Sequence, residues 1–295
     1  MAERLRTEQM PEAGPNAGVV TLWLEQPGRP VVVLDEPLLQ SLAATLDELP
    51  ESMTGFVLAS ASPKVFVAGA DLKSIVDRSD DELHDYLKFG AEVFGRIGQL
   101  PCPTAAAING AALGGGLEIA MHCDALIAAP GAKPYPVGLP EAGLSICPGW
   151  GGTNLLPARI DPADAMARTA SGTPMKFDDA VAAGMFDAVA DSADSLLDTA
   201  RRWVASAQTP ERDGAPSRWI GRHAGRVSPA ISEIEQELQQ TEPGAAVANA
   251  VHAGLADGWQ AALESERQSL VRLRHTEPAK AAIEAFFARS APKPA

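Results

Sequence analysis

Three consecutive glycines, Gly114 to Gly116, open an apolar segment that carries an acid, Glu118, one helical turn in. Just before them, Ala105 to Ile108 read as a short buried strand and Asn109-Gly110 as a turn. Glycines at such a start let a ligand approach the backbone closely. A helix N-terminus adds free N–H groups and the positive end of a dipole. Together they make a device for holding an oxyanion, with a carboxyl group nearby. Taken alone, a glycine triplet usually marks a tight strand-to-helix turn with a solvated Glu. Two further segments bear on the choice. Phe66-Val67-Ala68-Gly69-Ala70-Asp71-Leu72 is an apolar strand that breaks at a glycine into a polar, helical stretch. Leu139-Pro140-Glu141 brings a second acid, followed by Cys147-Pro148-Gly149-Trp150-Gly151-Gly152-Thr153.

In this order and spacing the three segments resemble the enoyl-CoA hydratase/isomerase (crotonase) superfamily. The resemblance runs from about Val19 to about Arg289 and is weakest over about Ser206 to Pro243. It implies an α/β fold, a crotonase-like (ClpP/crotonase) spiral of β-β-α units with a helical C-terminal trimerisation region. The expected divisions are a flexible N-terminus over 1–17, the spiral core over 18–207 and a helical C-terminal region over 208–295. It also implies chemistry on an acyl-CoA thioester, most closely hydration of a 2-enoyl-CoA to a 3-hydroxyacyl-CoA. The fold hosts other reactions on such thioesters: isomerisation, hydrolysis, retro-aldol cleavage and decarboxylation. A non-catalytic acyl-CoA-binding or structural subunit is a further alternative.

Hydration needs stabilisation of the thioester oxygen as it gains enolate charge, a base for water and an acid for Cα. The resemblance maps the oxyanion donors to the N–H groups of Ala70 and Gly115. It maps the acid/base pair to Glu118 and Glu141, and the glycine that places the water to Gly149. The CoA contacts map to Arg29, Ala68, Asp71 and Leu72, with Phe286 and Arg289 of the C-terminal Phe-x-x-Arg pattern reaching CoA, often from a neighbouring subunit. Trp150, bulky beside Gly149, is expected either to line the acyl pocket or to pack its loop against the core. Val32, Leu139, Trp150 and Asn154-Leu155-Leu156 depart from the usual pattern. The Glu118–Glu141 spacing and Gln26-Pro27-Gly28-Arg29-Pro30 look most like the hydratase portion of the multifunctional β-oxidation α-subunits. The family implies a homotrimer or hexamer, no metal, and no cofactor beyond the coenzyme A of the substrate.

The elements that must position these residues are legible in outline. Strands are expected at Val19–Leu24, Val31–Leu34, Gly55–Ser60 and Ala125–Ala129. Helices are expected at Pro37–Leu49, Asp80–Leu100, Pro162–Ala170, Phe177–Ala183, Ser192–Ala207, Ser228–Gln240, Ala245–Arg274 and Pro278–Ala288. Pro210–Gly214 reads as a mobile linker. A chain of 295 residues with 46% hydrophobic content is long enough for one large core. Its net charge of −14 argues against nucleic-acid or anionic-membrane partners. Arg218, Arg222, His223 and Arg226 form the densest basic cluster, read as a solvated loop. Cys102, Cys123 and Cys147 show no metal-like pairing, and reduced thiols in a cytoplasmic setting are expected. Met1 to Gly18 lack the apolar core of a signal peptide. No apolar run is long enough to span a membrane.

Overall fold

A computed structural model of the chain describes residues 3–290. The first strands and helices are β1 (Thr7–Gln9), β2 (Val19–Leu24), α1 (Glu36–Leu46), β3 (Gly55–Ser60), β4 (Val65–Val67), α2 (Leu72–Asp77) and α3 (Asp80–Ile97). Next come β5 (Thr104–Ile108), β6 (Ala111–Leu113), α4 (Gly115–Met121), β7 (Ala125–Ala128) and β8 (Pro136–Gly138). They are followed by α5 (Gly152–Leu155), α6 (Pro162–Ser171), β9 (Met175–Lys176), α7 (Phe177–Ala182), β10 (Ala188–Val189) and α8 (Leu196–Ser206). The chain then runs through α9 (Ala224–Leu238), α10 (Glu242–Asp257), α11 (Trp259–Leu273) and α12 (Glu277–Ser290).

From β3 to β8 successive strands alternate between two sheets. One sheet has the order β1-β2-β3-β5-β7-β10 and the other β4-β6-β8-β9. Each turn of the chain therefore lays one strand in the large sheet, the next in the small sheet, and then a helix. The pairs β3–β5, β5–β7, β4–β6 and β6–β8 are all parallel. This is the expected spiral of β-β-α units. Both faces of the large sheet are covered, as a parallel sheet requires. Side chains at alternate positions separate cleanly. Val57, Ala105, Ala107, Ala125 and Ile127 pack with Leu196, Ala200 and Val204 of α8. Phe56, Leu58, Ala106, Ile108 and Leu126 face the main core. The run Ala105-Ala106-Ala107 is thus a strand pressed from both sides, where small residues admit close layers.

Five details differ from the sequence reading. Thr7–Gln9 pair antiparallel with β2, and Leu5 is buried, so the N-terminal arm is tied down there. Val31–Leu34 is not a strand. The Gln26 side chain takes the Val33 N–H, and only Leu34 forms a bridge, to Ala70. The single helix expected over Ala245–Arg274 breaks at Gly258, whose φ of 92° ends α10 and starts α11. Pro210–Gly214 is pinned rather than loose. Arg212 donates to the carbonyls of Leu100 and Cys102 and to both oxygens of Asp124. The basic cluster is bonded within the chain: Arg218 to Asp187, Arg222 to Asp213 and Arg226 to the carbonyls of Pro157 and Ile160. No helix among the described residues is long and apolar enough to cross a membrane.

The C-terminal helices pack onto their own chain. α11 lies on α3, α10 on α6 and α5, and α12 on the turn Glu141–Leu144. Arg274 fastens this layer, donating to the carbonyls of Ile75 and Arg78 and to the Asp80 carboxylate.

Candidate active site

The topology sets the three chemistry-bearing segments side by side. β4, β6 and β8 are adjacent in the small sheet, and each runs at its C-terminal end into one of them. Gly69-Ala70 follow β4, Gly114-Gly115 follow β6, and Leu139-Pro140-Glu141 follow β8. The loops touch. A Cβ on Gly69 (φ 115°) would lie 3.2 Å from the Leu113 carbonyl, and one on Gly116 would lie 2.3 Å from the Val67 carbonyl. Gly114 has φ 53° and ψ −129°, a conformation open in practice only to glycine. Its N–H bonds the Gly138 carbonyl at 2.9 Å, which ties the start of α4 to β8. The Ala70 and Gly115 N–H groups have no acceptor among the described residues. Two donors at the ends of neighbouring strands are therefore left for a ligand oxygen.

Three carboxyl groups surround the next loop. Glu118 is 1% exposed, and its Oε1 accepts the N–H groups of Trp150 (2.8 Å) and Gly152 (2.9 Å). Its Oε2 takes no hydrogen bond among the described residues. Glu141 sits over Gly114, where a Cβ would fall 2.5 Å from its Oε1, and its buried Oε2 has no hydrogen-bond partner among the described residues. Gly152 leaves similar room for Glu118, since a Cβ there would lie 3.0 Å from Oε1. The third carboxyl, Glu266 of α11, was not found from sequence. It is 1% exposed, and it accepts the Gly151 N–H at 2.5 Å, the Thr153 N–H at 2.8 Å and the Thr153 hydroxyl. A signal was present: Glu266 stands on the apolar stripe of α11, between buried Leu263 and Leu270.

Burial, then the charges of Glu266 and Glu141, push the Glu118 carboxyl well above the usual range. Glu141 is pushed up to about 8, by burial first and by Glu266 next. Glu266 is raised as well, by burial, against the opposing bonds from Thr153 and Gly151. Buried like charges that raise one another disfavour full ionisation, an arrangement suited to a shared proton. Such a site can both give and take a proton. Among the described residues, no group of three His, Cys, Asp or Glu is arranged to hold a metal ion.

The chain resembles known proteins in sequence and in fold. The sequence profile of the enoyl-CoA hydratase/isomerase family matches residues 14–215. The chain belongs to that family. Among solved structures it is similar to human mitochondrial delta3-delta2-enoyl-CoA isomerase, at 23% identity over 98% of each chain and a TM-score of 0.68. It is similar to an enoyl-CoA hydratase from Bacillus halodurans, at 19% identity over 96% of this chain and 100% of that one, TM-score 0.67. A Bacillus anthracis enoyl-CoA hydratase matches at 26% identity over 92% of this chain and 93% of that one, TM-score 0.57. Hydratases and an isomerase thus share the crotonase fold seen here.

The remaining candidates of this family member fall into separate places. Gly149 is wedged between α3 and α11: a Cβ would lie 3.0 Å from Leu87 and 3.1 Å from Leu270. Its N–H has no acceptor among the described residues. Trp150 lies in the core at 1% exposure rather than on an open surface. Its indole N–H donates to the Leu87 carbonyl at 2.9 Å, and its ring meets Tyr86 and Phe94 edge-on. It also backs the oxyanion glycine, since a Cβ on Gly115 would lie 2.4 Å from the indole. Arg29 pairs with Asp35 at 3.1 Å and borders a cleft of about 610 Å³ that runs along Gln26–Val32 and Ala61–Lys64. Ala68 is exposed beyond β4. Asp71 is half-buried and takes the Ser74 hydroxyl, and Leu72 packs partly on the core. Phe286 and Arg289 are exposed on α12. That helix rests on its own chain's Glu141–Leu144 turn, and both residues are turned to its exposed surface. Cys147 is buried, and burial and the three carboxylates push its thiol up, the opposite of an activated nucleophile. His122 bonds the Glu118 carbonyl at 2.9 Å and is lowered by burial to about 4, which keeps the ring neutral.

Proposed function

We propose that the protein adds water to a 2-enoyl-CoA and releases a 3-hydroxyacyl-CoA. The observation that carries this reading is the pair Glu118 and Glu141, each against a glycine and each with a carboxyl oxygen unclaimed by the protein. In the reaction the thioester oxygen takes the N–H groups of Ala70 and Gly115 as enolate charge develops. One carboxylate removes a proton from water as its oxygen attacks Cβ, and the other carboxyl delivers a proton to Cα. The double bond becomes one C–O and one C–H bond, and the site regains its proton count. The water has the Gly149 N–H available as a donor. Arg29, Ala68, Asp71 and Leu72 would hold the CoA portion along the β4 edge. A cytoplasmic location belongs to the same proposal, supported by three cysteines that are all free and buried.

A second reading has one specific support. Glu118 is almost wholly buried, with one oxygen already bound by two N–H groups. Glu141 acting alone could shuttle a proton between carbons and isomerise a double bond. A panel of saturated, 2-enoyl- and 3-enoyl-CoAs, read by mass spectrometry, separates the two. Gain of water by a 2-enoyl-CoA supports hydration. Conversion of a 3-enoyl-CoA at constant mass, without any gain of water, replaces hydration with isomerisation. Release of free CoA would point to hydrolysis instead.

A further inference from the structure

The loop Trp150–Thr153 is held from two sides in strict alternation. The N–H groups of Trp150 and Gly152 point to Glu118 of α4, and those of Gly151 and Thr153 point to Glu266 of α11. We infer that Glu266 is a positioning residue of the acid/base site, fixing this loop so that its alternate N–H groups grip Glu118 and aim the free oxygen of that carboxylate.

Several features of the chain favour this assignment over a helix charge that happens to be buried. Burying a carboxyl group is costly unless it is bonded, and this one is met by two backbone N–H groups and a hydroxyl, all from the loop. On that side the loop is packed by Trp259, but the hydrogen bonds to its Gly151 and Thr153 N–H groups come from Glu266. Gly151 (φ 100°) and Gly152 are intrinsically loose, and Gly151 sits so close to Trp259 that a Cβ would fall 2.3 Å from the indole. Thr153 is built for the contact, since its hydroxyl also accepts the Asn154 side-chain amide while donating to Glu266. The groups facing Glu266 are the Glu118 carboxyl on α4, the Glu141 carboxyl beyond β8, the Cys147 thiol and the neighbouring Arg267 guanidinium. Arg267 itself pairs with Glu264 at 2.6 Å, and Glu266 has no ion pair among the described residues. The device couples the helical C-terminal layer to the spiral core: a residue far along the chain sets the geometry of an acid on α4.

The inference rests on reading Glu118 as an acid/base group, and a double-mutant cycle keeps the two apart. Glu266→Gln, Glu118→Gln and the double variant are assayed on whichever 2-enoyl-CoA the wild type turns over fastest, with binding of free CoA measured by calorimetry. A Gln at 266 presents a donor where the loop also presents donors, so one N–H is left unpaired. The expected result is a fall in kcat of at least about tenfold for Glu266→Gln, with KM and CoA affinity within about threefold, the pattern of a lost transition-state interaction. In the double variant the loss should not exceed that of Glu118→Gln alone, because both act through one carboxylate. Wild-type kcat in Glu266→Gln, or losses that multiply in the double variant, would overturn the positioning role. Wild-type kcat in Glu118→Gln would instead remove the acid/base reading itself. Should Glu266→Gln fail to fold, Thr153→Val removes the hydroxyl bond to Glu266, together with the one from the Asn154 amide, and keeps the Thr153 N–H bond to Glu266. A kcat loss at unchanged CoA affinity then supports the inference, and an unchanged kcat overturns it.

Discussion

Each residue of this site is defined as much by what has been left out beside it as by its own chemistry. Glu141 occupies space that a Cβ on Gly114 would take, and Glu118 does the same at Gly152. The carboxyls are therefore dry and crowded, and their raised pKa values follow from that. If both take part in hydration, Glu118→Gln and Glu141→Gln should each lower kcat by about 10²–10⁴. CoA binding should persist in both, measured by calorimetry. Loss of hydration in only one of them would reduce the mechanism to a single carboxylate. Trp150 takes the packing role of the two that its sequence position invites. Its indole is packed between Gly90 and Gly115 and bonded to Leu87, so it braces the oxyanion glycine. Trp150→Phe should cost about 1–3 kcal/mol of stability, from one lost buried hydrogen bond and a small void. The ranking of acyl-CoA chain lengths should stay as in the wild type. A shift in that ranking toward longer chains would put the indole on the acyl path after all.

Among the elements, those that carry the motifs were the most legible. The strand before the glycine triplet, the break at Gly69 and the glycine-rich loop after Glu141 announce themselves through residue types with few other uses. What could not be read was the closure of the small sheet, because β4, β6 and β8 are three residues each and carry almost no periodic signal. Yet that closure is what gathers Ala70, Gly115 and Glu141 at one edge. Glu266 was missed for a related reason. A Glu on a helix is ordinarily solvated, and only contact with a loop more than a hundred positions away gives it another role. The Val31–Leu34 segment misled because only Val32 and Leu34 bond the neighbouring backbone, and they do so beyond the end of β4, at Ala68–Asp71, so the parallel pairing stops at a single bridge. A prediction belongs at this scale. Gly114→Ala would force a Cβ to within 2.5 Å of the Glu141 carboxyl and into a φ of 53°. The start of α4 and Glu141 must both move. A shift of about 1 Å in a catalytic group can cost about 10² in rate, and a loss of that size is expected. A crystal structure of the variant should show Glu141 displaced. A variant with normal kcat would mean that the approach of Glu141 to Gly114 is not part of the working geometry.

The whole molecule raises the questions of assembly and of pH. Leu263, Leu270, Leu273 and Ile283, which invite an oligomer when read from sequence, are all buried within their own chain. For the trimer or hexamer proposed from the family resemblance, α12 offers Phe286 and Phe287, both 40% exposed, and Val76, Val181 and Val189 are further exposed apolar side chains. Light scattering at micromolar concentration should give three or six times the 30.8 kDa of one chain, and a single-chain mass would dismiss the proposal. The pH dependence follows from buried groups of opposite habit. Glu118, Glu141 and Glu266 have pKa values raised above the 4.5 of a free glutamate, with Glu141 at about 8. The folded chain thus binds protons that the unfolded chain has lost, and stability grows as pH falls from about 8. Each such proton is worth up to about 1.4 kcal/mol per pH unit. His122 acts in reverse. Its folded pKa of about 4 lies below the free value of 6.5, so the unfolded chain binds the extra proton and stability drops as pH falls through that interval. Asp124 and Glu264, both lowered by arginine partners, stay ionised there and add their loss only at lower pH. Tm should therefore rise from pH 8 to about 6.5 and then flatten or turn over. Relief of the −14 net charge shares the first sign, so the comparison must be made within a pair of chains. In Glu141→Gln one of the raised groups is gone, and the rise between pH 8 and 6.5 should be shallower than in the wild type by up to about 1.4 kcal/mol per unit. Parallel Tm curves for the two chains would show that Glu141 is ionised in the folded protein at neutral pH, and the shared-proton picture of the site would fail with it.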